Sequence, residues 1–219
     1  VRMMHIENEQ HDAMIAKFKE KFGEITENRF TTIGPTIGAS LRQKAAWALV
    51  VTSLMIVAYI AFAFRKVPKV VSPWKFGVCA IVALLHDVFI TVGVIAVVGK
   101  ILGVEVDALF ITALLTVMGF SVHDTIVVFD RIRENLRYQR KDENFTDVVN
   151  NAMNQTMARS INTSVCTLLT IIALAIWGAE SIKLFVLVLI AGISIGTYSS
   201  IFVASPLLAA WKKWEESKK

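Results

Sequence analysis

The sequence has few of the features that build disulfide-bonded or catalytic soluble domains. Only 2 of its 219 residues are cysteine, and 19% are charged. Cys79 and Cys166 both lie in apolar stretches, which predicts neither a disulfide framework nor a redox motif. The first residues lack the basic start and apolar run of a signal peptide. Neither an HExxH motif nor a glycine-rich phosphate-binding loop occurs, so peptidase and nucleotide-hydrolase functions have no local support.

Apolar residues, by contrast, are abundant. They make up 55% of the chain, whereas soluble domains contain about 45 to 50%. The mean hydropathy is +0.57. The net charge is +5, but the basic residues cluster between apolar stretches, as in membrane-orienting loops, and form no groove for nucleic acid. The composition therefore predicts an integral membrane protein with no nucleic-acid partner.

Five stretches are long and apolar enough to cross a lipid bilayer as helices, which satisfy their own backbone hydrogen bonds. We predict spans at about 45–64, 76–98, 109–129, 161–177 and 182–204. Tryptophans mark or flank the span ends, where indole rings favour the headgroup region: Trp47, Trp74, Trp177, Trp211 and Trp214. The predicted fold class is an all-α polytopic membrane protein.

The distribution of basic residues predicts the orientation of the spans. Arginine and lysine concentrate between the first two spans, in the segment 130–160 and in the tail 207–219. We expect these three segments to be cytoplasmic, because basic residues of short loops stay on that side. An odd number of spans then places the N-terminal segment outside and the C-terminus in the cytoplasm.

The N-terminal segment 1–38 has the pattern of a partial α+β domain. Residues 1–6 and 25–33 read as strands and residues 8–22 as an amphipathic helix. A βαβ unit of this size buries too little surface to be stable alone, so we expect a preceding half-domain and a preceding span. Gly34, Pro35 and Gly38 predict a break before the membrane.

Ionisable residues inside the apolar stretches are the strongest functional signal. Asp87 lies mid-span and Asp124 lies in the third span, where a charge costs several kcal/mol unless it is paired, hydrated or neutralised. Arg159 begins the next span and is predicted to approach Asp124. Such a pair can open when the acid is protonated and close when it is charged.

Plainer explanations remain open for several of these residues. Either aspartate could anchor helix packing, and Asp130, Arg131 and Arg133 could be solvated residues at the cytoplasmic interface. His86 and His123 precede the two aspartates, but neighbouring helical positions point about 100° apart, which disfavours a shared metal ion. We therefore expect no metal and no cofactor.

Small residues recur every four positions on the last predicted span. Gly192, Gly196, Ser200 and Ala204 form a ridge that lets another helix backbone approach closely. The preceding span carries a partly hydroxylated face that includes Ser160 and Ser164. The simplest interpretation of both faces is helix packing, although the hydroxyls could also line a hydrated path.

Several segments resemble signature sequences of the SecD/SecF family, in the same order and with the same spacing. They are residues 32–35, 85–87, 119–125, 128–135, 159–164 and 196–200. The resemblance extends almost continuously from Gly34 to Pro206. His123 departs from the family pattern, which often has Asn at that position.

The resemblance implies half of an RND-type transporter bundle, in which this chain would supply spans two to six of a SecF subunit. SecD, the SecYEG channel and YajC are the implied partners, in the bacterial cytoplasmic (inner) membrane. The implied function is translocation of preproteins driven by protons, without enzymatic chemistry. Asp124 and Arg159 fall on the family's proton-conducting positions, and we group Asp87 and His123 with them. The alternatives are an efflux transporter subunit and a passive structural subunit of the translocon.

Overall fold

The computed structural model describes residues 8–26, 35–65, 71–102, 108–139 and 143–218. These residues form α-helices joined by short connections. The helices are α1 (Asn8–Phe22), α2 (Pro35–Ala63), α3 (Pro73–Leu102), α4 (Ala108–Arg137), α5 (Phe145–Trp177), α6 (Lys183–Ser199) and α7 (Ser205–Glu216). A short 3₁₀ turn, Glu180–Ile182, precedes α6, and a π-helical segment, Ser200–Ala204, joins α6 to α7.

The chain divides into two compact units, Val1–Ala48 and Leu49–Lys219. In the first unit, α1 coincides with the predicted helix. The predicted strand 1–6 lies outside the described residues. Of the strand predicted at 25–33, only Ile25 and Thr26 are described, and they are not in a strand. Within the described residues, the βαβ arrangement is therefore not seen.

Helix α2 begins earlier than its predicted span. It starts at Pro35 and continues through Gly38, where a break was expected. Proline suits the first position of a helix because its missing N–H has no helical partner there. A glycine within a helix costs only about 1 kcal/mol relative to alanine, which a long helix tolerates.

The five predicted spans correspond to five helical stretches that are long and apolar enough to cross a membrane. They are Gln43–Ala63, Pro73–Ile101, Leu109–Arg137, Phe145–Trp177 and Glu180–Glu216. The segment 130–160, predicted as a loop, is instead largely helical, because α4 continues to Arg137 and α5 starts at Phe145. These extensions carry buried apolar residues at helical spacing: Ile132, Leu136, Val148, Val149 and Ala152.

Helices α4 and α6 form the centre of the second unit and pack closely against each other. A Cβ atom on Gly192 would lie 3.0 Å from Val117 Cβ and closer still to both Val117 methyl groups. A Cβ atom on Gly196 would lie 2.9 Å from Ser121 Cβ. Glycine at both positions therefore lets the two helix backbones approach.

An aromatic cluster of Phe64, Phe76 and Phe129 fills the core where α2 ends and α3 begins. Each ring is at most 1% exposed. The centroids of Phe64 and Phe76 are 5.2 Å apart in a stacked arrangement, and Phe129 meets Phe76 edge-on at 5.3 Å. This packing fixes one end of α4 against α2 and α3.

Candidate functional site

Asp124 lies at a junction of three elements and is only 7% exposed. Ser160 Oγ on α5 donates a hydrogen bond to Asp124 Oδ1 at 2.6 Å. Ser200 Oγ, at the start of the π-helical segment, donates to Asp124 Oδ2. Both serines are themselves buried. Each carboxylate oxygen therefore has a hydroxyl donor from a different helix, as a buried acid requires if it is to carry charge at low cost.

Asp87 on α3 occupies a second buried site and is 0% exposed. Ser121 Oγ on α4 donates to its Oδ2. His86 Nδ1 lies 3.0 Å from its Oδ1. Neighbouring side chains on a helix usually diverge, yet this imidazole turns back to the carboxylate of the next residue, which helical spacing alone does not predict.

The two acids are connected through α4 and α6. Ser121, the donor to Asp87, lies on the same helix as Asp124 and three residues before it. Ser199 lies beside Asp87, while the next residue, Ser200, bonds to Asp124. Ser199 Oγ is fully buried and has no hydrogen-bond partner among the described residues. A displacement of α6 and of the segment that follows it would therefore change the surroundings of both carboxylates.

A further hydroxyl pair continues the polar path one turn away. Ser164 Oγ on α5 and Thr197 Oγ1 on α6 are 2.5 Å apart. These residues lie one helical turn from Ser160 and Ser200, respectively. Two successive turns of α5 thus present hydroxyls to polar groups of other helices, Ser160 to Asp124 and Ser164 to Thr197.

The predicted ion pair between Asp124 and Arg159 is not formed. Arg159 is exposed and makes no ion pair within the described part of the chain. The α5 residue that reaches the carboxylate is its neighbour Ser160. Adjacent helical positions point about 100° apart, so the rotation of α5 that presents the serine turns the arginine outward.

His123 is also exposed, on the outer side of α4 next to Asp124. Like Arg159, it is one of several exposed polar side chains on α4 and α5. They are Thr116, His123, Arg159, Asn162, Thr163 and Thr170. All of these residues lie within candidate membrane spans.

The charged residues at the end of α4 make local contacts. Arg133 Nη2 pairs with Asp130 Oδ1 at 2.6 Å, and Arg133 Nη1 donates to Ala63 O at 3.2 Å. This guanidinium therefore covers the C-terminal end of α2, where carbonyl groups lack helical partners. Arg131 Nε donates to Gln155 Oε1 at 2.6 Å, which ties α4 to α5.

Three serines donate hydrogen bonds to the acids although the sequence did not predict them as donors. Ser160 and Ser200 were interpreted as packing residues, and Ser121 was not singled out. Their signal was present in the sequence, because small hydroxyl residues in apolar spans that also carry acids are candidate hydrogen-bond donors. No group of three or more metal-ligating side chains converges among the residues that the structure describes.

Comparisons with known proteins identify the family of this chain. Residues 13–214 match the family described as "Protein export membrane protein SecD/SecF, C-terminal". The chain belongs to the SecD/SecF family. This membership supports the interpretation of the chain as part of a membrane protein that functions in protein transport.

Members of the SecD/SecF family similar to this chain include two proteins named protein translocase subunit SecF. The protein from Thermobaculum terrenum is 54% identical over 194 residues, which cover 89% of this chain and 60% of the relative. The protein from Synechocystis sp. is 41% identical over 220 residues, which cover 100% of this chain and 67% of the relative. The chain thus spans about two thirds of the length of these relatives.

The crystal structure of SecDF, a translocon-associated membrane protein from Thermus thermophilus, has a similar fold. The match has a TM-score of 0.80 and 38% sequence identity, and it covers 95% of this chain and 27% of that protein. In that SecD/SecF family member, the region similar to this chain is therefore part of a much longer polypeptide.

Proposed function

We propose that this chain is the SecF part of a protein translocase, in which proton transfer at Asp124 assists the movement of preproteins across the bacterial cytoplasmic membrane. The buried Asp124 carboxylate carries the proposal. It is held between hydroxyls of two other elements inside a membrane-spanning bundle. Intramembrane acids usually mark ion or proton pathways, because their burial is otherwise costly.

The exposed polar side chains of α4 and α5 support pairing with SecD. An arginine, a histidine and an asparagine facing acyl chains would each be unfavourable at membrane depth, so another protein surface is expected to cover them. A SecD bundle would be such a surface, since the similar crystal structure is named SecDF. SecYEG and YajC remain further expected partners.

Arg159 then has a function that does not require an ion pair in the present state. Ser160, which bonds to Asp124, is the next residue along α5. A rotation of α5 that withdraws the serine would bring the guanidinium towards the carboxylate. Asp124, Arg159, Asp87 and His123 together form the proposed proton-coupling group.

The driving force is sufficient for a conformational cycle. Moving one proton across the membrane potential supplies about 2.3 kcal/mol per 100 mV. A few kcal/mol is enough to shift the balance between two states of a repeat bundle. No covalent chemistry on the preprotein is needed, consistent with relatives that are named translocase subunits.

The test is preprotein export in membrane vesicles containing the complete SecD and SecF proteins, with and without a proton gradient. Asp124→Asn should assemble with SecD but lose the part of export that depends on the gradient. Asp147→Asn is the matched control, because Asp147 is an exposed acid on α5. Gradient-dependent export at the wild-type level in the Asp124→Asn protein would refute the proposed role.

Arg159→Gln, compared with the exposed control Arg137→Gln, tests the second member of the group. We expect the gradient-dependent part of export to be lost only in Arg159→Gln. An uncoupler that leaves wild-type export unchanged would favour the passive structural alternative.

A further inference from the structure

The hydroxyl of Ser200 has two acceptors but only one proton. Its Oγ is in donor geometry both to Asp124 Oδ2 and to the carbonyl oxygen of Thr197, which is 3.0 Å away. A serine hydroxyl carries a single O–H, so it can satisfy one of these acceptors at a time. The charge on Asp124 decides which acceptor is preferred, since a carboxylate attracts the proton more strongly than a peptide carbonyl.

Ser200 is also the first residue of the π-helical segment. This segment, Ser200–Ala204, interrupts the helical stretch Glu180–Glu216. Ser205 Oγ donates to Ser200 O at 3.2 Å across the widened turn. Single π-helical turns within α-helices are rare and are often found at functional sites.

The segment determines which face of α7 meets α3. A π-helical turn contains one residue more than an α-helical turn, and each helical residue turns the chain by about 100°. If the segment relaxed to α-helix, the following helix would rotate by about that angle relative to α6. The contacts of α7 therefore depend on the state of this turn.

Those contacts form a clasp between α7 and the start of α3. Trp211 meets Trp74 edge-on with ring centroids 5.2 Å apart. Glu215 pairs with the buried ammonium group of Lys75. Trp211 and Glu215 are four residues apart and so lie on the same face of α7, which a rotation would turn away from α3.

We propose that the Ser200 hydroxyl switches between Asp124 and the Thr197 carbonyl, and that the π-helical segment transmits this switch to the clasp between α7 and α3. The proposal rests on the proposed function, in which Asp124 gains and loses a proton. With Asp124 charged, Ser200 donates to the carboxylate. With Asp124 protonated, the new carboxyl O–H donates to Ser200 Oγ, and the serine proton turns to the Thr197 carbonyl.

The physical basis of transmission is the competition between a serine side chain and the helix backbone. A serine that donates to the carbonyl three or four residues earlier alters local helix geometry and bends the helix. Here this bond would form at the entrance to the π-helical segment, where the backbone already departs from α-helix.

Few other ionisable groups surround the switch. Helix α3 contributes His86 and Asp87, α5 contributes the outward-facing Arg159, and α4 itself contributes the exposed His123. From Leu184 to Ser205, the only ionisable side chain is that of Tyr198, which is exposed. Asp87, Arg159 and His123 are therefore the groups whose charge could modify the response of Asp124.

The experiment measures the position of α7 by spin-label distances in the complete SecD and SecF assembly in lipid nanodiscs. Labels are placed at Tyr138→Cys on the end of α4 and Lys213→Cys on α7, both exposed positions, after replacing Cys79 and Cys166. In the wild type, acidic pH should shift the distance distribution by about 5 Å or more, as expected for a rotation of about 100° on the surface of a helix.

Asp124→Asn, an uncharged side chain, should show the shifted distribution at every pH. Ser200→Ala should give one distribution that does not change with pH. Ser194→Ala is the matched control, since Ser194 is an exposed serine of α6 that bonds only to the carbonyl of Ile190 at 2.7 Å. This control should respond to pH as the wild type does.

A wild-type pH response in Ser200→Ala, or an unshifted distribution in Asp124→Asn, would overturn the switch. Export measured on the same preparations separates the two proposals. Loss of gradient-dependent export in Asp124→Asn without any shift of α7 would leave the proposed function intact and remove the switch. A shift of α7 with normal export in Asp124→Asn would leave the switch intact and remove the proposed function.

A second measurement uses no serine variant, so its result does not depend on whether Ser200→Ala folds. A thiol cross-linker joining Trp74→Cys to Trp211→Cys should hold the clasp closed and abolish gradient-dependent export, with recovery after the cross-link is cleaved. Full export from the cross-linked protein would contradict the proposal.

Discussion

Replacing Gly192 with alanine should destabilise the bundle at its centre. The added methyl group would lie 3.0 Å from Val117 Cβ and within the contact distance of both Val117 methyl groups. Val117 is 0% exposed and belongs to the core between α4 and α6, so it has little room to move. Overpacking of this kind costs about 1 to 3 kcal/mol.

The assay is the free energy of unfolding of the purified protein in a membrane mimetic, followed by denaturant. Gly93→Ala is the control, because a Cβ atom at Gly93 meets nothing within 4 Å. That control should be neutral or more stable by up to about 1 kcal/mol, the gain in helix propensity.

Shortening Val117 should compensate for the added methyl group. Val117→Ala removes the methyl groups that the new Cβ atom would strike. The double variant should therefore lose about 0.5 to 3 kcal/mol less free energy of unfolding than the sum of the two single losses. If Gly192→Ala unfolds like the wild type, or if the two losses simply add, then close packing at Gly192 does not stabilise the bundle.

Three further predictions concern other contacts of the second unit. Phe129→Ala should lower the free energy of unfolding by about 3 to 5 kcal/mol, because it removes one fully buried ring of the aromatic cluster; a loss below about 1 kcal/mol in the same assay would contradict this. Ser121→Ala should cost about 1 to 3 kcal/mol, since Asp87 loses its donor from α4; equal stability of the variant and the wild type would show that the bond contributes nothing. Lys75→Ala should leave overall stability within about 1 kcal/mol, because Glu215 is partly solvated, but should speed backbone hydrogen exchange in α7; unchanged exchange rates there would argue against the clasp.

The sequence by itself identified the membrane class of this protein and, within the described residues, the five helical stretches that are apolar enough to cross a bilayer. Hydropathy is a sum over neighbouring residues, so a stretch such as Pro73–Ile101 reveals itself without any knowledge of its neighbours. The placement of Asp87 and Asp124 within long apolar helical stretches follows from the same local count. The motifs around these acids also led to the correct family.

Tertiary structure decided which side chains reach the acids. Arg159 and Ser160 are adjacent in sequence, and only the rotation of α5 against α4 selects the serine as the ligand of Asp124. The approach of α6 through Gly192 and Gly196, and the extra residue in the π-helical segment, set the positions of Ser199 and Ser200. A hydrogen bond depends on a few tenths of an ångström and on helix rotation, which are properties of packing between segments distant in sequence. Hydropathy and residue spacing contain neither quantity.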